Sequence, residues 1–331
     1  MNKQLQRRDA LAALAALAVA PLARAQAKPL DKFTVAGWSK PITEVTPLLV
    51  DEDKGFYKAQ GLALDYVPGA GSADAIRNVL AGQADVAFSD AVTFLAAVDK
   101  GEKLRAIYDI YPQNVFNVVA LKSSGITKPS DLKGKKVGVY SLASGTRQNL
   151  QVLLHQAGLA EGDVQVQVTG VLNFAPLLQG QVDATAATDT GLAVGRRRGL
   201  GEVNVIEVGK YLPSSSDLFV VREDVYQQKK ALLARFLLAY RNAAAWMIAK
   251  PEEAAQLATK RAIDGSDPAV NLEIIKLRNA SSVSDLTRKQ GLGTIDIASL
   301  QKAADAYRQL GMLQKAVDVK QVVATDLLSG L

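Results

Sequence analysis

"LAGQADVAFSDA" occupies Leu80–Ala91, and "LQGQVDATAATDT" occupies Leu178–Thr190. Both write Leu-x-Gly-Gln-x-Asp, then a run of small residues, then another Asp. Each phrase reads as a corner of an α/β layer. Leu closes a helix and Gly takes its C-terminal cap. Gln-x-Asp makes a turn, and an alternating strand follows. Two unrelated corners would satisfy the pattern, and so would two lobes built to one plan. Asp85 and Asp183 fall in the turns and read as structural.

Outward from the first corner, "KFTVAGWS" (Lys32–Ser39), "LALDYVP", "ADVAFSDA" and "LRAIYDIY" read as strands. Helical stretches lie between them, with "TPLLVDEDKGFYKAQG" expected to be one helix capped by Gly61. Around the second corner, "KKVGVYS", "DVQVQVTG", "VDATAATD" and "VNVIEVG" repeat the alternation with helices. That order argues for two α/β layers with mostly parallel sheets. Two further extended runs, near 115–122 and 217–224, are expected to be hinge crossings between them. From Ala231 the chain turns helical, and this tail is expected to pack back on the first layer. Arg235, Arg241 and Asn242 interrupt its apolar first helix, which therefore reads as buried rather than membrane-spanning.

The 331 residues are 48% hydrophobic and 22% charged, the mix of a globular protein, and suffice for two lobes. There is no cysteine and a single histidine, His155, which removes most metal, thiol and acid–base constellations. His155 lies within a helical stretch and reads as structural. The N-terminus has a basic "MNKQLQRRD", an apolar "ALAALAALAVA" and A-x-A sites ending at Ala25 or Ala27. This is the order of an export signal, residues 1–27, and its apolar run is too short to span a bilayer. Arg7-Arg8 would suit either a Sec or a twin-arginine route. Its removal leaves 35 basic against 32 acidic residues, a net +3. That balance gives no support for a nucleic-acid partner.

"DEDKGFYKAQGL", "LAGQADVAFSD", "KPSDLKGKKVGVY" and "LLQGQVDA" stand in an order that resembles the SsuA / thiamine-pyrimidine-precursor family of periplasmic substrate-binding proteins. The resemblance covers roughly residues 33–330. It implies a two-lobed type II "Venus flytrap" with two hinge crossings. The first lobe would hold 28–117 and 221–331 and the second 118–220. It also implies capture of a small organic solute by hinge closure, the solute being a pyrimidine-like heterocycle, a sulfonate or a related compound. The partners implied are an ABC permease and its ATPase subunits in the inner membrane. The protein would be a soluble periplasmic monomer, with no cofactor and no metal. Related thiamine-pyrimidine synthases are enzymes that use histidine and a cysteine-containing motif. This chain has no cysteine, so no catalytic residue is expected and the synthase is the alternative reading.

In open α/β sheets ligands sit beyond the carboxyl ends of strands. There the sequence offers Ser89 and Asp90 at one corner, and Thr188 and Asp189 at the other. The two aspartates read as equivalents that accept ligand N–H groups, with helix capping as the competing role for Asp90. Gly71 and Ser72 open one helix, and Ser144, Gly145 and Thr146 open another; such N-termini can hold polar ligand atoms. The family resemblance favours the second loop. Trp38 closes the first strand, followed by Ser39 and Lys40, and offers a ring for stacking. Tyr111, Asn114 and Asn173 are further candidates near strand ends. Lys40 and Arg147 would serve if the ligand were an anion. Arg196–Arg198 read as a solvated face.

Overall fold

Among the described residues ten strands form two five-stranded sheets with one strand order. They are β1 (Asp31–Ala36), β2 (Leu62–Val67), β3 (Val86–Asp90), β4 (Leu104–Tyr111), β5 (Phe116–Leu121), β6 (Lys136–Val139), β7 (Gln165–Val168), β8 (Ala184–Thr188), β9 (Val203–Glu207) and β10 (Asp217–Arg222). The computed structural model describes residues 29–170 and 174–328. The expected export signal, 1–27, and Asn173 lie outside them. The first sheet runs β2-β1-β3-β10-β4 and the second β7-β6-β8-β5-β9. In each, the first three are parallel, and the fourth is antiparallel to both its neighbours.

The extended runs expected as hinge crossings are these fourth strands. Phe116 pairs with Thr188 in the second sheet, and Asp217 pairs with Asp90 in the first. Their apolar runs belong to strands covered on both faces. The chain instead changes sheet at 112–115 and 208–216. The expected boundaries at 117/118 and 220/221 therefore cut through β5 and β10. Asn114 ties the crossings together, its amide donating to the Leu212 carbonyl at 3.3 Å.

Side chains alternate between the two faces of a strand, as a two-residue repeat requires. Phe219 and Val221 face Leu233, Phe236, Leu237 and Tyr240 of the helix Lys230–Ala249. Leu218 and Val220 face the other way, in the cluster that holds Ala303, Ala304 and Tyr307 of the helix Ile297–Gln309. The tail thus covers both faces of the first sheet. A third tail helix, Pro268–Ser281, is capped by Asp267. It packs on the helix Asp189–Arg197 beside the second sheet. Among the described residues no helix is long and apolar enough to cross a membrane.

The expected single helix over 46–61 is a chain of short turns, broken at Gly55 and Gly61, both left-handed. Asp51 accepts from the Tyr57 and Lys58 amides, which favours a turn over helix continuation. Both corners of the opening repeat match. Asp85 accepts from the Thr34 amide of β1 at 3.0 Å, and the Asp85 amide donates to the Thr34 carbonyl. Asp183 makes the same pair of bonds with Lys136 of β6. Each aspartate locks the start of its strand to its parallel neighbour.

Candidate functional site

A cleft of about 830 Å³, counted to its mouth, lies between the carboxyl ends of the two sheets. One wall carries Trp38, Glu44, Gly71 and Ser72, and the other Tyr140, Ser144, Thr146 and Thr188, with Phe116 and Asp217 between them. Asp264 and Ile274 of the tail close a further side. Trp38 and Tyr140 follow equivalent strands, β1 and β6. Their ring centres are 6.2 Å apart and 83° inclined, an edge-to-face pair across the cleft.

Close approach of the walls depends on small residues. Gly71 has φ 138°, and a Cβ there would meet the Ala143 carbonyl oxygen at 2.4 Å. A Cβ on Gly145 would meet Asp90 Oδ2 at 2.9 Å and the Phe116 ring at 2.7 Å. The Ser141 hydroxyl donates to the Ala70 carbonyl, and the Ala73 amide donates to the Ala143 carbonyl. The two helix-opening loops therefore touch.

Of the expected site residues, Trp38, Gly71, Ser72, Ser144, Gly145, Thr146 and Thr188 line the cleft. The others have different surroundings. Ser39 is buried and donates to the Lys40 carbonyl, while Lys40 is exposed. The Ser89 hydroxyl donates to the Asp90 carbonyl. Asp90 caps the helix Ala91–Asp99, accepting from the Thr93 amide at 2.7 Å and the Thr93 hydroxyl at 2.9 Å. Burial pushes its pKa up, against the bonds from Ser72 and Thr93. Tyr111 is buried and donates to the Glu44 carbonyl at 3.3 Å. Asn114 holds the crossings, as above. Gly71 rather than Ser72 is the N-cap of Ser72–Leu80, and the Ser72 hydroxyl accepts the Asp90 amide. The Ser144 hydroxyl donates to the Ser141 carbonyl, and Thr146 accepts the Tyr140 amide.

The reading of Asp90 and Asp189 as equivalents is off by one residue. With Asp85 on Asp183, Asp90 falls on Thr188. Thr188 is indeed the N-cap of Asp189–Arg197, accepting from the Gly191 amide. Asp189 comes one place later and pairs with Arg278, as does the Thr190 hydroxyl at 3.0 Å. Arg278 is fully buried. Its Nε lies 3.1 Å from Glu44 Oε2, an ion pair without hydrogen-bond alignment. Its guanidinium also stands over the Tyr111 ring at 5.0 Å. Burial works against its charge, but Asp189 and Glu44 outweigh that and raise its pKa. The Thr190 hydroxyl donates to Glu44 Oε1 at 2.5 Å. Glu44, Asp189, Thr190 and Arg278 thus join the two walls, Glu44 and Thr190 at the cleft surface.

Sequence reasoning missed Glu44, Tyr140, Thr190, Asp217 and Arg278. Tyr140 was within reach, since the strand-end rule that selects Trp38 applies equally to "KKVGVYS". Arg147, expected for an anion, is held by Glu161 through two bonds of 2.6 and 2.7 Å. Neither it nor Lys40 lines the cleft.

Two sheets of one strand order, with a cleft at their carboxyl ends, define the periplasmic-binding-protein fold. The alkanesulfonate-binding protein SsuA from Xanthomonas axonopodis pv. citri, solved with MOPS, superposes with a TM-score of 0.72 at 18% identity. The match covers 90% of this chain and 100% of that one. The family described as "NMT1/THI5 like" matches residues 42–254, and the chain belongs to it. A riboflavin-binding protein, RibY, from Chloroflexus aurantiacus is 24% identical over 96% of this chain and 91% of its own length. A 4-amino-5-hydroxymethyl-2-methylpyrimidine phosphate synthase from Aspergillus parasiticus is 27% identical over 69% of this chain and 65% of its own length.

Proposed function

We propose that this chain is the solute-binding component of an ABC importer. It works as a periplasmic monomer after loss of its export signal, and delivers a small planar solute to a membrane permease and its ATPase. One lobe holds the first sheet and the tail, and the other the second sheet. The crossings at 112–115 and 208–216 let them close on the ligand. One observation carries this reading: the cleft is built from both lobes and faced by an aromatic ring from each, Trp38 and Tyr140. A solute held beside this pair touches both lobes, the burial expected of a captured solute.

The lining favours a heterocycle over a sulfonate. Among the described residues no lysine or arginine lines the cleft, while Glu44, Asp217 and Asp264 do. The names of the flavin-binding and pyrimidine-handling relatives agree with that choice. The synthase alternative needs a proton-transferring histidine, and His155 is exposed on the helix Gly145–Gln156, outside the cleft lining.

Native mass spectrometry of protein taken from its own periplasm should reveal a bound ring compound, released unaltered in mass. Small-angle scattering should show a smaller radius of gyration when that compound is restored. An unchanged profile at saturation, or conversion of the compound, would overturn the reading.

A further inference from the structure

The cleft contains two polar groups with no protein partner. The Trp38 indole Nε1 is buried and makes no hydrogen bond among the described residues. Asp217 is 7% exposed, lines the cleft, and its carboxyl makes neither a hydrogen bond nor an ion pair among the described residues. The neighbouring acids are all engaged. Asp90 holds Thr93, Glu44 holds Thr190 and Arg278, Asp189 holds Arg278, and Asp264 accepts from the Thr43 amide and hydroxyl. Backbone pairing of Asp217 with both Asp90 and Tyr111 fixes its position on the cleft floor. The buried indole donor carries a desolvation cost, and the Asp217 carboxyl keeps lone pairs open to the cleft; a ligand of matching pattern satisfies both.

We infer that Asp217 and Trp38 Nε1 are the specificity-determining pair of this cleft. Asp217 accepts an amino or ring N–H of the ligand, and Trp38 donates to a ring nitrogen or carbonyl oxygen. The ligand class is a planar nitrogen heterocycle bearing both a donor and an acceptor on its edge. The inference rests on the binding-protein reading above. Burial, together with the Asp90 carboxyl beside it, pushes the Asp217 pKa well up, so this carboxyl can hold a proton itself. An amino group next to a ring nitrogen suits such a carboxyl: one oxygen accepts, and the other shares its proton.

Calorimetry on the full chain, stripped of co-purified ligand, tests this with three probes. They are 4-amino-5-hydroxymethyl-2-methylpyrimidine, its analogue with methyl replacing the amino group, and MOPS. The unaltered protein should bind the amino probe at least about tenfold more tightly than the methyl one. Asp217→Leu, which removes both the acceptor and the shared proton, should lose about ten- to a hundredfold for the amino probe and less for the methyl probe. Trp38→Phe, which keeps a ring but loses the N–H, should weaken both probes. Equal affinity of the unaltered protein for the amino and methyl probes would overturn the assignment while leaving the binding-protein reading intact. That comparison decides the matter even if Asp217→Leu fails to fold. Binding of MOPS alone, or of none of the three, would overturn the ligand class. The scattering and mass measurements above judge the parent reading separately.

Discussion

The two sheets share a backbone plan but bury different chemistry. All four buried aspartates among the described residues, Asp90, Asp99, Asp109 and Asp217, belong to the half built on the first sheet. The corresponding polar groups of the second half are neutral: Asn117, Ser144, Thr146, Asn149, Thr185 and Thr190. Where Asp90 caps a helix in one half, Thr188 caps its counterpart in the other. The repeated geometry therefore demands a capping oxygen, not a carboxylate. Sensitivity to pH should reside in the first half, and hydroxyl-based contact in the second.

The strongest way to break that comparison is through Asp109. It is buried at the crossing end of β4, and burial pushes its pKa up to about 8, against a bond from the Ser215 hydroxyl at 2.6 Å. The unfolded chain has an ordinary value near about 3.9. Between these values the folded state holds a proton that the unfolded state has lost. This contribution is complete below about pH 4 and declines as pH rises through about 8. Each pH unit in that window is worth at most about 1.4 kcal/mol. Asp109→Asn keeps an acceptor for Ser215 and does not titrate. Urea unfolding should show the variant gaining on the unaltered protein from pH 4 to pH 8. A constant difference across that range would remove Asp109 from the account.

Arg278 comes next. It is the cation that joins Glu44, from the first half, to Asp189 at the corner of the second. Breaking a buried pair by removing one partner typically costs about 3–5 kcal/mol. Arg278→Met should destabilise on that scale in denaturant titration. Adding Asp189→Asn should recover part of the loss. A double variant no better than the single one would show that Arg278 acts by packing alone.

Much of this frame was legible in the sequence. The Leu-x-Gly-Gln-x-Asp repeat marks the same backbone corner twice, and alternation locates most strands. The crossing strands escaped because β5 and β10 are covered on both faces and look like any apolar extended run. The quartet of Glu44, Asp189, Thr190 and Arg278 escaped for another reason. Its members are distant along the chain, and no local pattern marks a contact between a tail helix and two strand ends. Asp217, in "SSSDLFVV", reads as an ordinary strand start. Only the engagement of the other acids around the cleft distinguishes it.

Asp85 and Asp183 sharpen the likeness between halves. Each accepts a neighbouring strand's amide, at 3.0 and 2.8 Å. Asp85→Ala and Asp183→Ala should therefore each cost about 1–3 kcal/mol by stranding that donor. The Lys229 pair with Asp85 is half-exposed and adds less than about 1 kcal/mol. If one substitution is silent while the other is costly, the two corners are alike in shape only.

The smallest effects test the caps themselves. Asp90→Ala removes the acceptor for both the Thr93 amide and its hydroxyl, and Thr188→Ala removes that for the Gly191 amide. Each should cost about 0.5–2 kcal/mol, the usual scale for losing an N-cap. Asp90 should stand at the upper end, since it serves two donors at a fully buried site. The exchange variants carry more information. Asp90→Thr keeps a capping oxygen and removes a carboxyl whose charge burial disfavours, so most of the alanine loss should be restored. Thr188→Asp also caps, but it adds a charge beside Asp189 and Glu44, which only Arg278 balances. It should restore less than Asp90→Thr does, and less at pH 8 than at pH 5. Equal recovery at both corners and both pH values would mean that the carboxyls of the first half are interchangeable with the hydroxyls of the second. The proposed division of pH sensitivity between the halves would then be wrong.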